Sequence, residues 1–175
     1  MLVEWANNDS TSSRVFSMYV FEVVSDCHLT PEQLSSYKES LMTVFTKSLA
    51  DREVSVRVSA LKATTAFMTS IYDSDIDMGY KPLLPNILNT IVEALKEDED
   101  QGRLALQSMI ELTNIYPEIW KDSTNLLVNV VSQVIMQKTF EDGTRASALE
   151  VILALSAAMP ASLRKCEETR FMLLP

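Results

Sequence analysis

The chain has 175 residues, 47% of them hydrophobic, which is ample for a core and excludes a disordered tail. Its formal charge of −9 argues against nucleic acid as the main ligand, because phosphate contacts demand basic patches. Only three glycines occur, and no long run alternates with a period of two, so helix rather than strand is expected throughout.

The first predicted helix runs from Ser10 to Cys27, after the capping-rich cluster NNDST, with Val15, Met18, Tyr19, Phe21 and Val23 as its apolar positions. The second runs from Pro31 to Ala50, where Leu34, Tyr37, Leu41, Val44, Phe45 and Leu49 recur at steps of three and four. A third covers Arg52 to Tyr72, with Ala60, Ala63, Phe67 and Ile71 on one stripe, and DSDIDMG breaks the pattern. The fourth spans Lys81 to Glu97, with Pro85 confining or kinking its first turn, and the acidic run KEDEDQG reads as the loop after it. Gln101 to Tyr116 forms a fifth, Pro117 to Lys138 a sixth and residues 140–160 a seventh, followed by half of an eighth in ASLRKCEETRFMLLP.

These helices pair, and the pairs repeat. Arginines near the head of each first helix, Arg14, Arg57, Arg103 and Arg145, stand 43, 46 and 42 residues apart. That interval belongs to HEAT and armadillo repeats, roughly 40 to 47 residues, and not to ankyrin or tetratricopeptide repeats of about 33 to 34. The fold class is therefore all-α, an α-solenoid of about four antiparallel HEAT pairs at 9–50, 51–97, 98–138 and 139–175, with the last cut short.

An aspartate precedes each arginine: Asp9, Asp51, Asp100 and Asp142. Stacked repeats bring equivalent helix heads side by side, so an Asp of one repeat can pair with an Arg of the next. Asp51, Arg57, Asp100, Arg103, Asp142 and Arg145 are the candidate ladder, expected at an exposed edge where each pair contributes about 0 to 1 kcal/mol. Loss of Arg57 or Arg145 is accordingly expected to be mild. Ala60 and Ala148, one turn later, permit close helix approach, and Leu106 breaks that pattern in the third copy.

Two stretches, SMIELTNIYPEIWKD and FEDGTRASALEVILALSAAMPASLRK, resemble the importin-β (karyopherin-β) nuclear transport receptors, and within them the importin-5 or karyopherin beta-3 type. RVSALKATTAFMTSI and YKPLLPNILNTIVEAL carry the likeness in the same order. Receptors of that family are several times longer, so the resemblance implies a piece of the N-terminal half, near the fourth to seventh repeats. It also implies partners: basic cargo signals on a concave face lined by second helices, Ran-GTP, and phenylalanine-glycine nucleoporins between neighbouring first helices. Cytoplasm and nucleus, including the nuclear pore, is the location it implies.

On the second helices, the polar residues at three- and four-residue steps are then candidate partner contacts: Glu32 and Glu39; Asn86, Asn89 and Glu93; Glu118, Asp122, Asn125 and Asn129. Asparagine amides hold an extended backbone and carboxylates attract Lys and Arg. A plain solvated face accounts for the same stripes. Phe67, Met68, Met109 and Met159 are candidate walls of a nucleoporin pocket, and equally ordinary core.

No enzyme is expected. His28 is the only histidine, and no GxxxxGK[ST], HExxH, GxSxG or GxGxxG motif occurs. Cys27 and Cys166 lie far apart without a CxxC pattern, so neither disulfide, metal site nor cofactor is expected, and a reduced intracellular protein fits best. No membrane insertion is expected either, with no apolar run of about 18 residues and no secretory leader. A scaffold role, such as a phosphatase regulatory subunit or a coat adaptor, is the alternative for the same fold. Leu2, Val3 and Trp5 at one end and FMLLP at the other make self-association through uncapped ends an expectation.

Overall fold

The structure, a computed structural model, describes residues 1–25, 27, 30–70 and 79–166. His28, Ile71, the DSDIDM break, the side chain of Leu34 and residues 167–175 of the last predicted pair lie outside the described residues. Helices α1 (Leu2–Ala6), α2 (Thr11–Ser25), α3 (Pro31–Leu49), α4 (Val54–Ser70), α5 (Leu84–Glu97), α6 (Glu99–Ile115), α7 (Thr124–Met136), α8 (Asp142–Ala158) and α9 (Pro160–Leu163) follow one another. Two 3-10 turns, Lys81–Leu83 and Pro117–Trp120, lead into α5 and α7. The short α1 was not legible beforehand.

Local chemistry sets these boundaries. Thr30 and Gln33 form a reciprocal capping box at the head of α3, Gln33 N–H donating to Thr30 Oγ1 at 3.3 Å and Thr30 N–H to Gln33 Oε1 at 2.9 Å. Pro85 falls in the first turn of α5, where its missing N–H costs nothing. The acidic run does not form a loop. Asp98 alone separates α5 from α6, and its Oδ1 accepts the N–H groups of Asp100 and Gln101 at 3.0 and 3.2 Å, so Glu99 and Asp100 open α6 at its positive dipole end. Gly102 sits inside that first turn, where an added Cβ would lie 2.5 Å from Leu95 Cγ. Only glycine lets the two helices meet at so tight a corner.

The chain divides into two compact units, Met1–Ala105 and Leu106–Pro175. In the first, α2 packs on α4, α3 on both α4 and α5, and α4 on α5, while α1 rests on α2 and α3. First helix thus lies on first helix and second on second, the packing of stacked helix pairs. Phe45 centres this core, its ring 5.9 Å from Phe21 and 5.5 Å from Phe67, so one aromatic series crosses α2, α3 and α4. Ala60 and Ala63 are fully buried on α4. The buried Thr64 hydroxyl donates to Ala60 O at 2.7 Å, which satisfies it within its own helix. Thr90 Oγ1 donates to Leu49 O at 3.2 Å and ties α5 to the last turn of α3.

In the second unit α7 packs on α8, and α8 on α9. Leu127, Val128, Val131, Ala148, Val151 and Leu155 are buried there with Trp120. The Cys166 thiol donates to Asn125 Oδ1 at 2.8 Å.

Three apolar assignments are corrected. Tyr19 and Val23 on α2, and Tyr37 on α3, are exposed: Tyr19 opens onto the space between α2 and α4, and Tyr37 onto the space beside Phe21 and Leu41, instead of being packed in the core. The predicted Pro117–Lys138 helix is corrected too: it is a 3-10 turn, a bend at 121–123 and then α7, so Glu118 and Asp122 precede the α-helix instead of sharing its face.

Candidate protein-binding surface

The arginine at the head of α2 is 7% exposed, and that of α4 is 8% exposed. Both reach back along their own chain. Arg14 Nη1 donates to the carbonyls of Asn8 and Asp9 at 3.0 and 2.9 Å, and Arg57 Nη1 to those of Asp51 and Arg52 at 2.9 and 3.1 Å. Each arginine thereby closes the turn entering its helix.

Their carboxylate partners come from further on. Arg14 grips Asp51 through two parallel bonds, Nε to Oδ2 at 2.8 Å and Nη2 to Oδ1 at 3.0 Å. The anion therefore belongs to the later repeat and the cation to the earlier, opposite to the expected order. Arg57 pairs with Glu97 at the end of α5, not with Asp100. Asp100 pairs with Arg103, and Asp142 with Arg145 at 3.3 Å, each within its own helix. The expected exposed edge is corrected for Arg57, whose guanidinium lies beneath the α3–α4 turn, and its Nε is buried without a hydrogen-bond partner.

The candidate contact residues divide by unit. On the adjacent helices α3 and α5, Glu32, Glu39 and Asn89 are exposed, while Asn86 and Glu93 are half-buried. Glu93 accepts from Lys96 at 2.9 Å. The helix-head N–H and the Thr30 hydroxyl hold the Glu32 carboxyl below the usual carboxylate range. In the second unit Glu118, Asp122, Asn125 and Asn129 are exposed, with Asn129 Oδ1 accepting from Gln133 Nε2 at 3.0 Å.

Phe67, Met68 and Met109 are buried in the cores, Phe67 at the floor of a cavity of about 290 Å³ that it lines with Phe21, Tyr37 and Leu41, and Met159 is half-buried at the end of α8. A groove of about 490 Å³ opens between α2 and α4, walled by Val15, Phe16, Tyr19, Ser59 and Lys62. The signal for it was register: Phe16 and Tyr19 stand 43 residues before Ser59 and Lys62, so four residues on one helix face repeat across two first helices. Among the described residues no group of three or more His, Cys, Asp and Glu stands together to hold a metal ion.

A family described as "IPO5-like, TPR repeats" matches residues 1–130. The chain belongs to this importin-5-like family. Its first helices begin at Thr11, Val54, Glu99 and Asp142, 43 to 45 residues apart, so its pairs are of HEAT length in spite of the repeat label in that description. A probable importin-5 homolog of Dictyostelium discoideum is 21% identical over 94% of the chain, and importin subunit beta-3 of Saccharomyces cerevisiae is 26% identical over 69% of it. The chain spans 15% and 11% of the lengths of those two relatives. Among solved structures, Kap121p bound to RanGTP and Kap121p bound to Nup53p each superpose with a TM-score of 0.75 at 22% identity, covering 92% of this chain and 15% of theirs. The all-α HEAT fold is common to them.

Proposed function

We propose that this importin-5-like chain acts as a binding segment of a nuclear transport receptor, working by reversible association and without a catalytic step. The observation that carries the reading is the α2–α4 groove, an open, partly aromatic slot between neighbouring first helices. Its Phe16 and Tyr19 rings fit the phenyl group of a phenylalanine-glycine nucleoporin repeat. The four helix pairs at 9–50, 51–97, 98–138 and 139–175 serve as its repeats.

Cargo and Ran-GTP belong on the second helices. Glu32, Glu39, Asn89 and Glu93 on α3 and α5 offer carboxylates to the Lys and Arg of a basic signal, and amides to its backbone. Asn125 and Asn129 do the same on α7. The net charge of −9 favours such partners. The names of the solved neighbours, which record Kap121p with Nup53p, Pho4p and RanGTP, support the same partner classes. Function in the cytoplasm, the nucleus and the pore follows.

Immobilised chain is expected to retain a phenylalanine-glycine repeat peptide, and Ser59→Trp, which fills the groove, to abolish retention. A lysine-rich cargo peptide is expected to bind the chain and to lose affinity in Glu39→Lys. Equal binding by the native chain and both variants, or none by any, overturns the transport reading and leaves the scaffold role.

A further inference from the structure

The turn between α7 and α8 presents a hydroxyl to solvent. Met136, Gln137, Lys138 and Thr139 are exposed in succession, and among the described residues the Thr139 hydroxyl has no hydrogen-bond partner. Within the turn Phe140 N–H donates to Gln137 O at 3.2 Å, a bond at the weak end of the range. Little therefore has to break for the segment to extend in an enzyme cleft. Two carboxylates follow, Glu141 and Asp142, both exposed. Thr139-Phe140-Glu141-Asp142 thus offers a hydroxyl with acids two and three residues on, the pattern that a protein kinase with a basic substrate cleft selects. Every other described Ser or Thr with an acid three residues on lies within an α-helix, where the backbone is closed to such a cleft.

A receiver for a phosphate stands at the same turn. Arg145 Nε donates to Ile135 O at 2.9 Å and Nη1 to Asp142 Oδ1 at 3.3 Å, so its guanidinium spans the turn that holds Thr139. The Asp142 side chain is 100% exposed, and Arg145 Nη2 has no partner among the described residues. Register adds an independent reason. Thr139 stands six residues before the head arginine of its pair, as Asp51 and Glu97 stand before Arg57 and Arg103, and both of those carboxylates are held by an arginine. The fold already uses an anion at this place in two earlier pairs, and here the sequence offers a hydroxyl in its stead.

We propose that Thr139 is a phosphorylation site for an acid-directed Ser/Thr kinase, and that Arg145 captures the phosphate. In the transfer the γ-phosphorus of ATP bonds to Thr139 Oγ1 as its bond to the β,γ-bridging oxygen breaks; ADP leaves, and the hydroxyl proton passes to the kinase's catalytic base. The product carries a charge of about −1.5 to −2 near neutral pH, more than Asp142 brings, and its acceptor oxygens suit Nη1 and Nη2 together. Asp142 is displaced, and the turn is drawn onto the head of α8. This inference is independent of the transport reading, since it needs no partner beyond the kinase.

The whole chain, incubated with ATP and an acid-directed kinase of the casein-kinase type, is expected to gain one phosphoryl group, located at Thr139 by peptide mass spectrometry. Thr139→Ala is expected to abolish the gain, and Asp142→Asn to slow it several-fold. Both positions are exposed, so both variants are expected to keep the native circular dichroism. Phosphorus NMR reads the capture. Pairing with Arg145 is expected to hold the second pKa of the phosphate below its ordinary value of about 6, and either Arg145→Met or unfolding in urea to return it there. A folded chain that gains no phosphate, or gains it only at another residue, overturns the site. A second pKa that is the same in the folded and the urea-unfolded chain overturns the capture by Arg145.

Discussion

Asp51 serves two arginines at once: its carboxylate holds Arg14 through two bonds at 2.8 and 3.0 Å, and its carbonyl accepts Arg57 Nη1 at 2.9 Å. The side chains of the Arg14–Asp51 pair are 9% and 15% exposed, so removing one partner strands a charge out of water. Asp51→Ala is expected to lower unfolding stability by about 3 kcal/mol, measured by urea titration followed by circular dichroism. Arg14→Met combined with Asp51→Leu is expected to lose less than the sum of the single changes, because no lone charge remains. Additive losses would show that the pair is not coupled.

Glu97 provides a contrast on the same chain of polar contacts. Its side chain is 46% exposed against 10% for its partner Arg57, so water replaces much of what the carboxylate gives. Glu97→Gln is expected to cost about 1 kcal/mol in the same titration. The ranking Asp51→Ala above Glu97→Gln is the checkable outcome, and a reversal would place the anchoring anion on α5.

The α5–α6 corner depends on a missing methyl group. A Cβ at Gly102 would approach Leu95 Cα to 2.7 Å, and that atom is backbone. Gly102→Ala is therefore expected to destabilise by about 1 to 3 kcal/mol, although alanine is the better helix former. Leu95→Ala in the same chain removes only the side-chain part of the clash, so the double variant is not expected to recover. Thermal melts of the three variants give the comparison.

The helix pairs and their interval were legible because apolar periodicity and four arginines in register are local features of the text. What the arginines do was not. For Arg14 and Arg57 the carbonyl partners lie five and six residues back and the carboxylates about 40 residues on, so burial depends on how the turns fold beneath the stack. Tyr19 and Val23 misled for a related reason: periodicity finds an apolar residue without saying which neighbour covers it. KEDED suggested a loop because charge runs usually do, but acidic side chains also suit a helix head, and Asp98 takes the capping position. The contact stripes could be assigned to helices but not to partners, since an exposed Asn89 or Glu39 looks the same on a wet face and on a binding one.

Tyr80 makes the fold sensitive to alkali. Its hydroxyl is buried without a hydrogen-bond partner, and burial pushes the phenol well above its ordinary value of about 10. The unfolded chain releases this proton near pH 10 and the folded chain does not, so the stabilisation is fully present below about pH 10 and is lost as pH rises above it. Tyr80→Phe removes the group from both states. The variant is expected to equal or exceed the native chain at neutral pH, by up to about 1 kcal/mol, since an unsatisfied buried hydroxyl disappears. Its melting temperature is expected to fall less between neutral pH and about pH 11 than that of the native chain. Parallel alkaline limbs for the native chain and Tyr80→Phe would show that Tyr80 ionises freely in the fold.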